Sequence, residues 1–169
     1  MDESKRLETL RNLEILDTEP TPEFDRITGL ATHIFNAPVA LISLVDESRQ
    51  WFKSMQGLSG QESPRETSFC AHAIQGVDVM EVTNALDDPR FADNPLVIGE
   101  PYIRYYCGAP LVMRNGARIG TLCIIDMQSR DPISHGKRLL LKELTLQAIR
   151  EIELHALDID TDEINQILP

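Results

Sequence analysis

Cysteine is scarce in this chain, and the few present do not form a framework. The 169 residues include three, Cys70, Cys107 and Cys123, with no C-x-x-C spacing. An odd count without that spacing excludes a disulfide scaffold and points to free thiols in a reducing compartment. Positive charge is also short: 16 Lys and Arg against 27 Asp and Glu leave a net charge of −11. Nucleic-acid binding begins with phosphate neutralisation, so the charge argues against such a partner, and against an anionic membrane surface. No run of about 18 apolar residues occurs, so no membrane insertion is expected. The N-terminus "MDESKRLETLRNL" lacks the apolar core of a signal peptide. The expected location is cytoplasmic, as a whole protein or as a piece of a longer one. No internal repeat is visible.

What is present suffices for one domain. Hydrophobic residues make up 42% of the chain, enough for a core without staples. Leu7, Leu10, Leu13 and Leu16, three apart, predict a helix over 3–16. After "DTEPTP", Thr21 as N-cap and Pro22 at the first helical position predict a second, with Phe24, Ile27, Ala31 and Ile34 as its buried stripe. "PVALISLVDE" (38–47) and "WFKSMQG" (51–57) read as strands. Phe69–Gln75 reads as a short helix capped by Ser68, and 77–85 as a third strand. The stretch 86–101, with three prolines, reads as a lid loop. Two longer strands follow, 102–113 and 118–126. Between them Asn115-Gly116 predicts a tight type I′ turn. Ser134 caps a last helix running to about Ala156. Its apolar residues cover more than one face, which suggests a partner helix.

The order of elements predicts an α+β domain with an antiparallel sheet. Residues 1–156 form it, and 157–169 read as an acidic tail or linker. The spacing of Asp158, Asp160 and Asp162 imitates a calcium loop. Glu163 stands where that loop needs glycine, and Pro169 where it needs glutamate, so calcium is rejected.

Five stretches in order, "QWFKS" (50–54), "PRETSFCAHAI" (64–74), "DDPRFADNPLV" (87–97), "IRYYCGAPL" (103–111) and "GTLCIID" (120–126), resemble the GAF domains that precede bacterial sensor histidine kinases and diguanylate cyclases. The resemblance spans roughly residues 7–156. It implies a GAF-like, profilin-like fold: terminal helices on one sheet face, and a roof of short helix and loop over a pocket on the other. It also implies a homodimer through the terminal helices, with a histidine kinase or diguanylate cyclase as possible downstream output.

Strand alternation sets Tyr106 and Arg104 on one face and Tyr105 and Cys107 on the other, and pairs Thr121 with Cys123 opposite Leu122 and Ile124. The resemblance places Arg104, Tyr106 and Cys123 towards the pocket. Phe69, Cys70, His72, Phe91 and Thr121 complete the expected ligand-binding set. For Arg104 two readings stand: a fork for an anionic ligand, or a pairing with an acid of the fold such as Asp126. Cys70 and His72, two apart on a helix, point about 200° apart and do not meet as nucleophile and base. Cys70 is read as a small buried lining residue. A metal held by Cys70 and His72 would need two further ligands, so none is expected. No cofactor motif is present, and "FCAH" lacks the adjacent Cys-His of a bilin site.

The expected function is regulatory sensing of a small molecule, transmitted through the terminal helices. Two alternatives stand beside it. One is a cysteine-dependent reductase of free methionine sulfoxide, as some GAF-like proteins are. Against it, Cys107 turns away from the other thiols, and Cys123 and Ile125 replace the acids of such enzymes. The other is a ligand-free dimerisation scaffold closed by its own side chains.

Overall fold

The computed structural model describes residues 2–167, with side chains to Leu157. The elements in order are α1 (Glu3–Asn12), α2 (Pro22–Phe35), β1 (Val39–Val45), β2 (Arg49–Gln56), β3 (Glu62–Pro64), a 3-10 turn (Arg65–Thr67), α3 (Phe69–Ala73), β4 (Met80–Val82), α4 (Pro95–Ile98), β5 (Tyr105–Val112), β6 (Arg118–Asp126) and α5 (His135–Ile167). The strands form one six-stranded sheet in the order β3-β2-β1-β6-β5-β4, every pair antiparallel.

The sheet is covered on both faces, so β1 is buried along its whole length and carries no polar-out alternation. Parity decides which side chain goes where. Ile42 and Leu44 of β1, Tyr105 and Cys107 of β5, and Leu122 and Ile124 of β6 face the helix layer. There they meet Leu10 of α1, the α2 stripe Phe24, Ile27, Ala31 and Phe35, and Leu141, Leu144, Ala148 and Ile152 of α5. Val39, Leu41, Val45, Tyr106, Cys123 and Ile125 take the other face, under a roof of α3 and the segment 85–103. Trp51 joins the helix layer and Phe52 the roof side, as adjacent strand residues must.

Caps and turns account for most boundaries. Ser134 starts α5, its Oγ accepting from Lys137 N. Ser68 starts α3, accepting from Ala71 N. Thr21 precedes α2 without a side-chain cap bond, and Pro22 supplies the start. Helix α1 stops at Asn12, short of Leu16, because Glu14 and Asp17 take positive φ. The hairpin is not the expected type I′ turn: only Gly116, at φ +82°, is left-handed there. Gly116 N donates to Met113 O and Met113 N to Ala117 O, and the register shifts between Leu111 and Val112. That is a three-residue loop with a glycine bulge, for which Asn-Gly serves equally well. Strand β3 was not expected from the sequence, and β4 is shorter than the predicted 77–85. Helix α5 continues past Ala156 to Ile167, since neither Gly nor Pro interrupts 137–168. The side chains of the expected acidic tail after Leu157, its calcium-like aspartates included, lie outside the described residues.

Candidate functional site

The roof-side layer gathers most of the expected binding residues, but it closes on itself. Phe69 and Phe91 stack with centroids 4.0 Å apart and planes 9° apart. Tyr106 lies 5.3 Å from Phe69. Phe69, Cys70, Phe91, Tyr106, Thr121 and Cys123 are each no more than 3% exposed. The hollow expected under the roof is therefore occupied by the protein's own side chains. Aromatic rings that looked like walls instead interlock, because stacked faces bury more surface than a lined void.

Beneath the rings lies a small buried polar cluster. Cys70 Sγ and Cys123 Sγ are 3.9 Å apart. Tyr106 Oη lies 3.5 Å from Cys70 Sγ and 3.5 Å from Thr121 Oγ1. Gly108 makes room for this placement: a Cβ there would stand 2.2 Å from Tyr106 Oη. The Cys123 thiol, and after it the neighbouring hydroxyls of Thr121, Tyr106 and Ser43, hold the Cys70 thiol below the usual range against the opposing effect of burial. Burial and the neighbouring Cys70 push Cys123 up. Tyr106 is raised by burial, then by the two sulfurs. Cys107 faces the helix layer, and burial pushes its thiol up to about 12.

Ser43 is the site residue that sequence reasoning missed. Its signal was available: it is the one hydroxyl inside "VALISLV", at the same parity as Leu41 and Val45. Ser43 Oγ donates to Gln50 Oε1 at 3.1 Å, and Ser68 Oγ donates to the same oxygen at 2.7 Å. Buried Gln50 thereby ties the polar cluster to the cap of α3.

Two expected ligand residues lie elsewhere. His72 is exposed on the outer side of α3, its ring edge-on to Phe91 at 4.8 Å. Burial and the cation of Arg90 hold its pKa below the usual value. It lines an open surface cleft of about 700 Å³ with Glu47, Arg65, Glu66 and Gln75. Its helix spacing from Cys70 predicted the separation, and the resemblance did not. Arg104 precedes β5, so strand alternation does not govern it. Its Nη1 donates to the carbonyls of Val97 and Ile103, which pins α4 in this conformation. The Asp126 carboxylate pairs with Arg130, so the expected pairing of Arg104 with that acid is not formed.

Two further contacts lock the roof segment. Arg90 closes on Asp88. Asn94 caps α4 and donates from Nδ2 to Thr67 O. Among the described residues no group of three His, Cys, Asp or Glu is placed to hold a metal, and no helix is long and apolar enough to cross a membrane.

A six-stranded antiparallel sheet with terminal helices behind and a short-helix roof in front is an α+β architecture. The chain belongs to the GAF domain family, whose model matches residues 19–152. It is 46% identical over 133 residues to the cyclic di-GMP phosphodiesterase PA2567 of Pseudomonas aeruginosa, covering 79% of this chain and 23% of that protein. The chain thus spans about a quarter of the length of that relative. Among solved structures it resembles the GAF domain of an Acinetobacter phosphoenolpyruvate-protein phosphotransferase, at TM-score 0.63 and 20% identity over 93% of this chain and 98% of that one. It also resembles the free methionine-R-sulfoxide reductase of Neisseria meningitidis, at TM-score 0.64 and 16% identity over 88% and 87%. At those identities the two structures speak for the fold alone.

Proposed function

We propose that the chain is a regulatory GAF module of bacterial cyclic di-GMP signalling, responding to a small molecule at its roof and passing the change to α5. The carrying observation is the placement of β4. Val82 packs into the roof layer. Its neighbour Glu81 accepts from Tyr105 Oη at 2.8 Å, Ile133 N at 2.8 Å and Arg138 Nη2 at 2.7 Å. One three-residue strand therefore touches the ligand side and clamps the start of α5. The signalling context comes from the 46% identity to the phosphodiesterase.

The site is closed in this conformation, so a ligand must displace Phe69 and Phe91. Its apparent affinity falls by the fraction of molecules that are open. In this reading the module acts without catalysis of its own, and Cys107, on the sheet face opposite Cys70 and Cys123, does not join them in a three-cysteine reductase. It acts as a homodimer: Leu139, Leu146 and Leu154 are about half exposed and lie on the side of α5 away from Leu141, Leu144, Ala148 and Ile152. It works in the cytoplasm, beside a histidine kinase or a cyclase or phosphodiesterase output.

The filled roof favours a second reading, the ligand-free scaffold. A thermal-shift screen with cyclic mono- and dinucleotides, amino acids and small carboxylates separates the two. A compound that raises the melting temperature and slows thiol labelling at Cys70 supports sensing. If no compound does so while the chain remains dimeric, the scaffold reading replaces it.

A further inference from the structure

The roof-side layer is apolar apart from one spot, and that spot holds two sulfurs. Free cysteine usually packs as a small hydrophobe, and Cys107 does so among Tyr105, Ala109 and Leu122 in the helix layer. Cys70 and Cys123 differ from it. They lie 53 residues apart in sequence and their sulfurs are 3.9 Å apart. They come from different layers, α3 in the roof and β6 in the middle of the sheet. Three hydroxyls surround them: Tyr106 within 3.5 Å of Cys70 Sγ, Thr121 bonded to Tyr106, and Ser43. Packing alone has no use for these hydroxyls.

We propose that Cys70 and Cys123 form a peroxide-responsive site that switches reversibly between dithiol and disulfide and ties α3 to β6. This goes beyond the regulatory reading and does not need a ligand under the roof. Cys70 is the attacking sulfur. Its thiolate takes an oxygen from hydrogen peroxide: an S–O bond forms, the O–O bond breaks, and the departing hydroxide takes a proton to leave as water. The Cys123 thiol then attacks the sulfenic sulfur. An S–S bond forms, the S–O bond breaks, and the hydroxyl leaves with the Cys123 proton as a second water. Two electrons pass from the sulfurs to the peroxide. A small dithiol reverses the step by exchange, taking the sulfurs' place in its own disulfide.

The Cys123 thiol 3.9 Å away, and after it the hydroxyls, hold the Cys70 thiol below its usual range and favour it as nucleophile, and raised Cys123 keeps the proton needed for the second step. Bonding requires the sulfurs to close by about 2 Å. Helix α3 is one short turn and is the partner free to move, since β6 is held by strands on both sides. Both sulfurs are buried, Cys70 at 2% and Cys123 at 0% exposure. Peroxide therefore enters through local opening of the roof, and oxidation is slower than that of a surface thiol.

The test treats the purified full chain with hydrogen peroxide and maps its peptides without reduction. The expected product has a mass lower by about 2 Da and a Cys70–Cys123 cross-link that dithiothreitol removes. Cys107→Ser should give the same cross-link. Cys123→Ser should instead carry Cys70 to the sulfinic acid, a gain of about 32 Da. If Cys123→Ser does not fold, the native chain and Cys107→Ser still decide the matter. Absence of the cross-link when methionines in the same sample are oxidised overturns the proposal, as does any pairing that uses Cys107.

Discussion

Replacing Phe91 by alanine tests whether the roof layer is a packed core or a flexible lid over an empty site. The ring is fully buried and stacks on Phe69 at 4.0 Å. Its removal forfeits about 1.5–3 kcal/mol of transfer free energy and about 0.5–1.5 kcal/mol from the stacked pair. The sum overlaps the roughly 3–5 kcal/mol typical of Phe→Ala in packed interiors. Collapse of the roof into the gap would lower the cost. Arg104 on Val97 O, Asn94 on Thr67 O and the Asp88–Arg90 pair resist it. A loss of about 3 kcal/mol is expected, since these anchors preserve most of the cavity. For a chain of this size that corresponds to a drop of roughly 6–12 °C in melting temperature. Urea unfolding followed by the single Trp51, with a thermal scan beside it, measures both. Val77→Ala, at an exposed valine ahead of β4, serves as the control and should cost less than about 0.5 kcal/mol. The vacated space is apolar, so benzene or indole should recover part of the lost melting temperature. A Phe91→Ala loss below about 1 kcal/mol would refute the reasoning, because a buried ring in contact on both sides cannot be removed so cheaply.

Two further outcomes follow from single contacts. Glu3 is held down to about 2 by hydrogen bonds from Arg6 and Arg65; a carboxyl lowered on folding adds stability above its unfolded value near 4.5 and loses it as pH falls towards 2. Acid titration of stability should therefore show a limb in that window that Glu3→Gln flattens, and an unchanged limb would remove Glu3 from the account. Gly108→Ala places a methyl where Tyr106 Oη stands; it should lower the melting temperature and speed the reaction of Cys70 and Cys123 with a thiol reagent, and an unaltered labelling rate would show that the ring can move aside freely.

The GAF resemblance was legible because its motifs lie in short, ordered stretches, and the family match over 19–152 confirms it. The parity of β5 and β6 was equally legible. It sends Tyr106 and Cys123 to one face and Cys107 to the other, as the structure has them. Arg104 and His72 were misplaced for different reasons. Arg104 lies just outside its strand, where alternation gives no direction. His72 has a side chain whose partner, Phe91, comes from a loop 19 residues away, and helix spacing alone fixed only that it points away from Cys70. The meeting of Cys70 with Cys123 joins a roof helix to a central strand 53 residues on, and no local pattern encodes such a distance.

By itself, then, the sequence determined the class of fold, the order of its elements and the face that most strand residues take. Those follow from periodicity, caps and breakers, which act over a few neighbouring residues. Only the tertiary structure decided that the roof is shut, that two sulfurs and three hydroxyls share its floor, and that Glu81 joins β4 to the start of α5. Each of these depends on how separate layers settle against one another, and close packing across layers is a property of the whole chain at once.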